Sequence, residues 1–200
     1  MKKVITFLTL CFIMIITGLA SADDRVVING VTWATRNVDE VGTFAQSPEN
    51  AGKFYQWNRK KAWNTTDNKV TDWNDTDPEG TEWEKDNDPS PPGWRVPTMN
   101  EMMSLFDKEK VSYQQATQNG IDGTKFTDKE NGNSIFLPAV GLRDSSFSTL
   151  HKVGSIGYYW SNTNNSLASK AAVCLMIAGN HSTLHALASS NALSIRPVVE

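Results

Sequence analysis

The sequence predicts an α+β domain, with few helices, many short strands that pair mostly antiparallel, and long loops. Three observations lead there. Turn dipeptides and Asp/Asn/Gly/Pro clusters cut the chain into short segments. Several of those segments are rich in β-branched and aromatic residues, as strands are. One stretch carries a helix cap followed by apolar residues at helical spacing. A few helices set beside a run of strands form the α+β class.

Taken in order, residues 26–33, "VVINGVTW", read as two strands joined by Asn29-Gly30. That dipeptide accepts the positive φ of a two-residue hairpin turn. Residues 53–63, "KFYQWNRKKAW", fit either a strand or a short helix. From Asn64 to Pro92 no periodicity survives, and Trp73 and Trp83 interrupt a polar tract. A disordered tract would be poor in aromatics, so this reads as a long loop pinned by tryptophan.

The next stretch, "DPSPPGWRVPT" (88–98), is a corner. Pro91 and Pro92 stiffen it, Gly93 supplies a turn conformation closed to bulkier residues, and Trp94 and Val96 point one way into the core. Arg95 either faces solvent or ties the turn to loop carbonyls. Thr98 then caps a helix, with Glu101 at capping-box spacing and Met99, Met102, Met103 and Phe106 on one face.

Beyond the helix, "TKFTD" and "SIFLPAV" flank "KENGN" as a hairpin. "IGYYWSN" is a strand in which Tyr158 and Trp160 share a face and Tyr159 takes the other. "AAVCLMIAG" is an apolar run of strand length, followed by the turn-like "NHS" and by "ALSIRPVV".

Residues 1–22 stand apart. Lys2 and Lys3, an apolar run, and Ala20-Ser21-Ala22 have the form of a signal peptide cleaved after Ala22. Residues 23–200 then make a single domain, exported to the periplasm, the cell surface or the medium, with no membrane insertion after cleavage. With Lys2 and Lys3 set aside, the 19 basic residues become 17 against 22 acidic, a net charge of −5. That balance speaks against nucleic acid and against attraction to anionic membranes. Cys174 is the one cysteine after residue 22, which leaves no internal disulfide and no paired-cysteine zinc site.

Candidate chemistry is sparse. Asp75, Asp77, Glu79 and Asp86 fall at positions 1, 3, 5 and 12 of a calcium-type loop with Gly80 at 6. Proline at position 4, Trp83 at 9 and a closing Asp rather than Glu break that pattern, and a solvated acidic loop competes with it. His181 and His185 share a face on a strand or a helix, but no third ligand is marked. No nucleophile elbow occurs, no carboxylate pair stands out, and Cys174 sits in an apolar strand where a thiol is inert. Exposed tryptophans bind sugars and anchor interfaces, so Trp63, Trp73 and Trp83 are the candidate ligand-binding residues. The same three rings would equally serve as pins for the loop.

"INGVTWATRN" (28–37), "GKFYQWNRKKAW" (52–63), "NDPSPPGWRVPT" (87–98), "NGNSIFLPAVGLR" (131–143), "GYYWSNT" (157–163) and "SIRPVVE" (194–200) occur in that order. Together they resemble the Fibrobacter succinogenes major paralogous domain, found in exported proteins of Bacteroidetes-type bacteria. The resemblance spans essentially all of residues 23–200. It implies a C-type-lectin-like fold, with paired N- and C-terminal strands, about two helices flanking a twisted sheet, and an irregular loop region for recognition. Many members carry cysteine where Ser90 and Pro197 stand here, so a disulfide between those two positions is unavailable to this chain.

The expected function is that of a non-catalytic exported binding or scaffold module for a glycan or protein ligand. It would need no cofactor, calcium aside. Recognition would use the 63–88, 144–152 and 162–168 loops. A carbohydrate-active enzyme and a structural subunit of a surface assembly are the alternatives.

Overall fold

The computed structural model describes residues 24–66, 70–165 and 170–200. The expected signal peptide, residues 1–22, lies outside the described residues, as do parts of the 63–88 and 162–168 loops. In chain order the first strands are β1 (Arg25–Ile28), β2 (Val31–Ala34), β3 (Phe54–Gln56), β4 (Ala62–Trp63) and β5 (Trp94–Arg95). The helix α1 (Met99–Ser104) follows, then β6 (Val111–Gln118), β7 (Ile121–Asp128), β8 (Ser134–Pro138), β9 (Leu142–Arg143) and β10 (Leu150–His151). The last strands are β11 (Gly157–Asn164), β12 (Ala171–Ile177), β13 (Thr183–Ala188), β14 (Ala192–Leu193) and β15 (Val198–Val199).

These strands form four sheets, and every ladder between named strands is antiparallel. The orders are β1-β2-β15-β5, β10-β9-β14-β3-β4, β11-β12-β13 and β6-β7-β8. Two tight hairpins rest on the same dipeptide. Asn29-Gly30 (φ 47° and 77°) joins β1 to β2, and Asn119-Gly120 (φ 48° and 81°) joins β6 to β7. Positive φ at both central residues matches the right-handed twist of the strands they connect.

The expected α+β, C-type-lectin-like arrangement is therefore corrected: the chain is nearly all β, with 15 strands and, among the described residues, one α-helix of six residues. The cap is present as the sequence predicts. Thr98 Oγ1 accepts from Glu101 N, and the Glu101 carboxylate accepts from Thr98 N. The helix nevertheless stops at Ser104, because its apolar side is only partly spent. Met102 and Leu105 are buried while Met103 is 51% exposed. A helix this short has no independent stability and persists only as far as packing supports it. The second helix that the resemblance implies is absent among the described residues, where one α-helix occurs. The ambiguous 53–63 stretch resolves as β3 and β4.

Two buried clusters flank the β11–β12 pair. Tyr159, Leu175 and Ile177 join Ile28, Trp33, Met102 and Phe126. Tyr158, Trp160 and Cys174 join Tyr55, Trp57, Val96 and Ile195. The pleat sends alternate side chains of β11 to opposite cores, which is why the two strands read as almost continuous apolar runs.

At the 88–98 corner, one carboxylate binds both ends. Asp88 accepts from Ser90 N (2.8 Å) and Val96 N (2.9 Å). Arg95 has a definite role. Its guanidinium grips Glu101 with two bonds of 2.9 and 2.6 Å, joining β5 to the capping box. Burial alone would raise the Glu101 carboxyl, but Arg95 and the two Thr98 donors outweigh it and hold its pKa below the ordinary range.

Glu101→Gln should therefore cost about 1–2 kcal/mol in urea unfolding at neutral pH. A carboxylate with a depressed folded pKa contributes fully above its unfolded value and loses that contribution as pH falls through the folded one. The gap between wild type and variant should close on acidification; a gap constant down to acid would show that the charge is irrelevant.

Candidate functional site

The tryptophans proposed for ligand binding are used internally. Trp63 is 4% and Trp83 8% exposed, so neither ring offers a face to a sugar. Trp63 packs on half-buried Trp73 with ring centroids 4.8 Å apart, and the Lys61 ammonium lies 4.2 Å from the Trp63 ring centre. The Trp73 indole donates to Ser145 O at 2.8 Å, tying the polar loop to the β9–β10 connection. Trp83 stands edge-on to Trp57 at 5.9 Å and donates to Asn87 O at 3.0 Å. All three rings hold the loop against the sheets rather than forming a platform.

The calcium-type spacing does not become a cation site. Asp77 already faces a cation, Lys170 Nζ at 3.2 Å, and accepts from Ser190 Oγ at 3.2 Å. Asp75, Glu79 and Asp86 are exposed. Among the described residues no three His, Cys, Asp or Glu side chains are placed to hold a metal. The irregular path through Pro78 and the turn at Lys85–Asn87 keeps these oxygens from converging. His185 lies on β13 and His181 in the turn before it, both exposed. Cys174 is fully buried on β12, where burial raises its thiol pKa and suppresses the reactive thiolate.

The 144–152 loop is braced by hydrogen bonds. Asp144 accepts from Ser146 N (2.9 Å) and Phe147 N (2.7 Å), and its other oxygen meets His151 Nε2 at 2.7 Å. Fully buried Arg143 donates to Asn64 O and to Ser148 O, each at 2.6 Å. Ser148 holds φ at +53°, a conformation that a residue with a side chain adopts only when its surroundings fix it. At the tip of this frame Phe147 is 73% exposed, the most exposed large apolar side chain among the described residues.

The arrangement with the most unspent chemistry is one that sequence reasoning missed. A cleft of about 490 Å³ opens between β7, the turn from β12 to β13, and Gly154-Ser155. Its floor is small and buried: Gly123, Thr124, Ala139 and Ile177. Gly123 is required by packing, because a Cβ there would stand 2.2 Å from Leu137 O and 2.7 Å from the Phe136 ring. The rim is exposed and polar: Gln115, Asp122, Ser155, Asn180 and His181.

The rim is anchored to the sheets. Gln115 N donates to Asn180 Oδ1 (3.2 Å), Thr124 Oγ1 donates to Gly179 O (3.2 Å), and Thr117 Oγ1 donates to Asp122 Oδ1 (2.5 Å). The signal that could have located it is the recurrence of glycine at 120, 123, 154 and 179 beside Asn, Asp, Ser and His. The turn-like "NHS" noted in the sequence forms one wall. Compared with known families, curated proteins and solved structures, the chain has no match in any of the three.

Proposed function

We propose that this protein is an exported, non-catalytic binding or scaffold module of the cell envelope or extracellular space. The polar cleft carries the reading. It is a preformed concavity on a β scaffold, of a size that ligand sites occupy, and its rim retains hydrogen-bonding groups that the fold does not consume. The signal-peptide pattern of residues 1–22 and the ordered stretches resembling an exported paralogous domain family support an envelope setting. The hydrogen-bonded 144–152 loop, presenting Phe147, supplies a separate contact point of the kind interfaces use.

The test is a glycan array run beside a panel of glycoside hydrolase and esterase substrates, using the purified protein. Retention of a glycan without turnover is the expected result. Turnover of any substrate at a rate abolished by a point substitution would replace the binding reading with an enzymatic one.

A further inference from the structure

We infer that the cleft between β7 and the β12–β13 turn is a recognition site for an uncharged sugar residue; this rests on the binding-module reading and names its ligand class. Charge is the first argument. The lining contains one carboxylate, Asp122, and no lysine or arginine. A phosphate, sulfate or uronate would find no counter-charge there and would meet Asp122, whereas a neutral polyol avoids both penalties.

The second argument is the kind of polar group available. Among the described residues, the Gln115 side-chain amide and the His181 ring have no hydrogen-bond partner in the fold. Asn180 spends its Oδ1 on Gln115 N and keeps its Nδ2 as a donor. Asp122 spends Oδ1 on Thr117 and keeps Oδ2 as an acceptor. Planar amides and carboxylates offer paired, fixed-angle sites, and hydroxyls on adjacent ring carbons present donors and acceptors at matching spacing.

The third argument is the floor. Ala139, Ile177 and Gly123 form a small, largely apolar base against which the C–H face of a sugar ring would lie. The bonds that fix the rim are made before any ligand arrives, so little ordering remains for binding to drive. Nucleotides fit poorly, since no tryptophan, tyrosine or phenylalanine lines the cleft and no lysine or arginine meets a phosphate.

The experiment is a titration of isotope-labelled protein, followed by amide resonances. Methyl galactoside, methyl mannoside, N-acetylglucosamine, cellobiose and maltose serve as neutral probes, with glucuronate and a sugar phosphate as anionic comparators. At least one neutral probe should move the signals of Gly123, Thr124, Gly154 and Gly179, and the comparators should not. Gln115→Ala and His181→Ala change exposed side chains without internal partners. Each should leave the melting temperature unchanged and weaken binding roughly three- to tenfold.

Stronger shifts from the anionic comparators, shifts that map elsewhere, unchanged affinity in both variants, or no response to any neutral probe would each overturn this site. A glycan retained on the array by both variants as well as by wild type would do so while leaving the binding-module reading standing. Turnover of an array glycan would remove that broader reading instead.

Discussion

Arg196→Met is expected to destabilise the protein by about 3–5 kcal/mol, a large share of the ~5–15 kcal/mol that ordinarily holds a domain folded. The guanidinium is fully buried. Nε donates to Asn37 Oδ1 at 2.8 Å, Nη1 to Ala34 O at 3.4 Å and to Thr35 O, and Nη2 to Pro48 O at 3.3 Å. Burial pushes its pKa down to about 10, still far enough above neutrality to keep the charge. Methionine fills the volume but withdraws the guanidinium from all four acceptors, and a buried acceptor that loses its donor carries its own desolvation cost. Lysine should not rescue the fold, because a point charge cannot reach acceptors arranged around a planar fork. Lys85→Met is the control. That residue pairs with Glu200 at the surface, 3.4 Å away, and its loss should cost about 0–1 kcal/mol. Urea unfolding followed by tryptophan fluorescence checks both, and equal losses in the two variants would refute the argument.

Trp160→Ala should cost a comparable 3–5 kcal/mol from lost packing alone. The ring is fully buried among Tyr55, Trp57 and Ile195, and its indole donates to Tyr55 O at 2.8 Å. Deleting it opens a cavity and orphans a carbonyl of β3. Trp73→Ala removes a ring of the same size from a half-buried position and should cost appreciably less. The contrast separates the two uses of tryptophan in this chain: Trp160 joins sheets, whereas Trp73 fastens a loop. A Trp73 variant as unstable as the Trp160 variant would mean that the polar loop belongs to the core.

What could be read in advance was whatever depends on neighbours in sequence. Asn29-Gly30 specified its hairpin through local φ preferences, and Thr98 with Glu101 specified a cap. The opposite facing of Tyr158 and Tyr159 followed from the period of a strand. Helix length did not follow, because Met103 and Phe106 fit a helical face whether or not a core is present to receive them. Nor was Arg95 assignable before Glu101 was known to lie beside it in space. The buried cations Arg143 and Arg196 were invisible for the same reason: they donate mostly to backbone carbonyls, and every residue carries one. The cleft joins Asp122, Ser155 and His181 from three parts of the chain, and no linear pattern records that meeting. The Asn119-Gly120 turn, by contrast, was open to the same reasoning as Asn29-Gly30.

The position of β15 has a bearing on how this molecule comes into being. Val198 lies opposite Trp33 on one side and Arg95 on the other, so the strand that joins β2 to β5 is supplied by residues near position 200. While the chain emerges from the ribosome, β1, β2 and β5 exist without the piece that unites them. Closure of this sheet must wait for residues 198 and 199, made long after β5, and contacts so distant in sequence are formed slowly. Until then the edges of β2 and β5 remain open to chaperones and to mispairing. Residues 198 and 199 thus act as the clasp of this sheet.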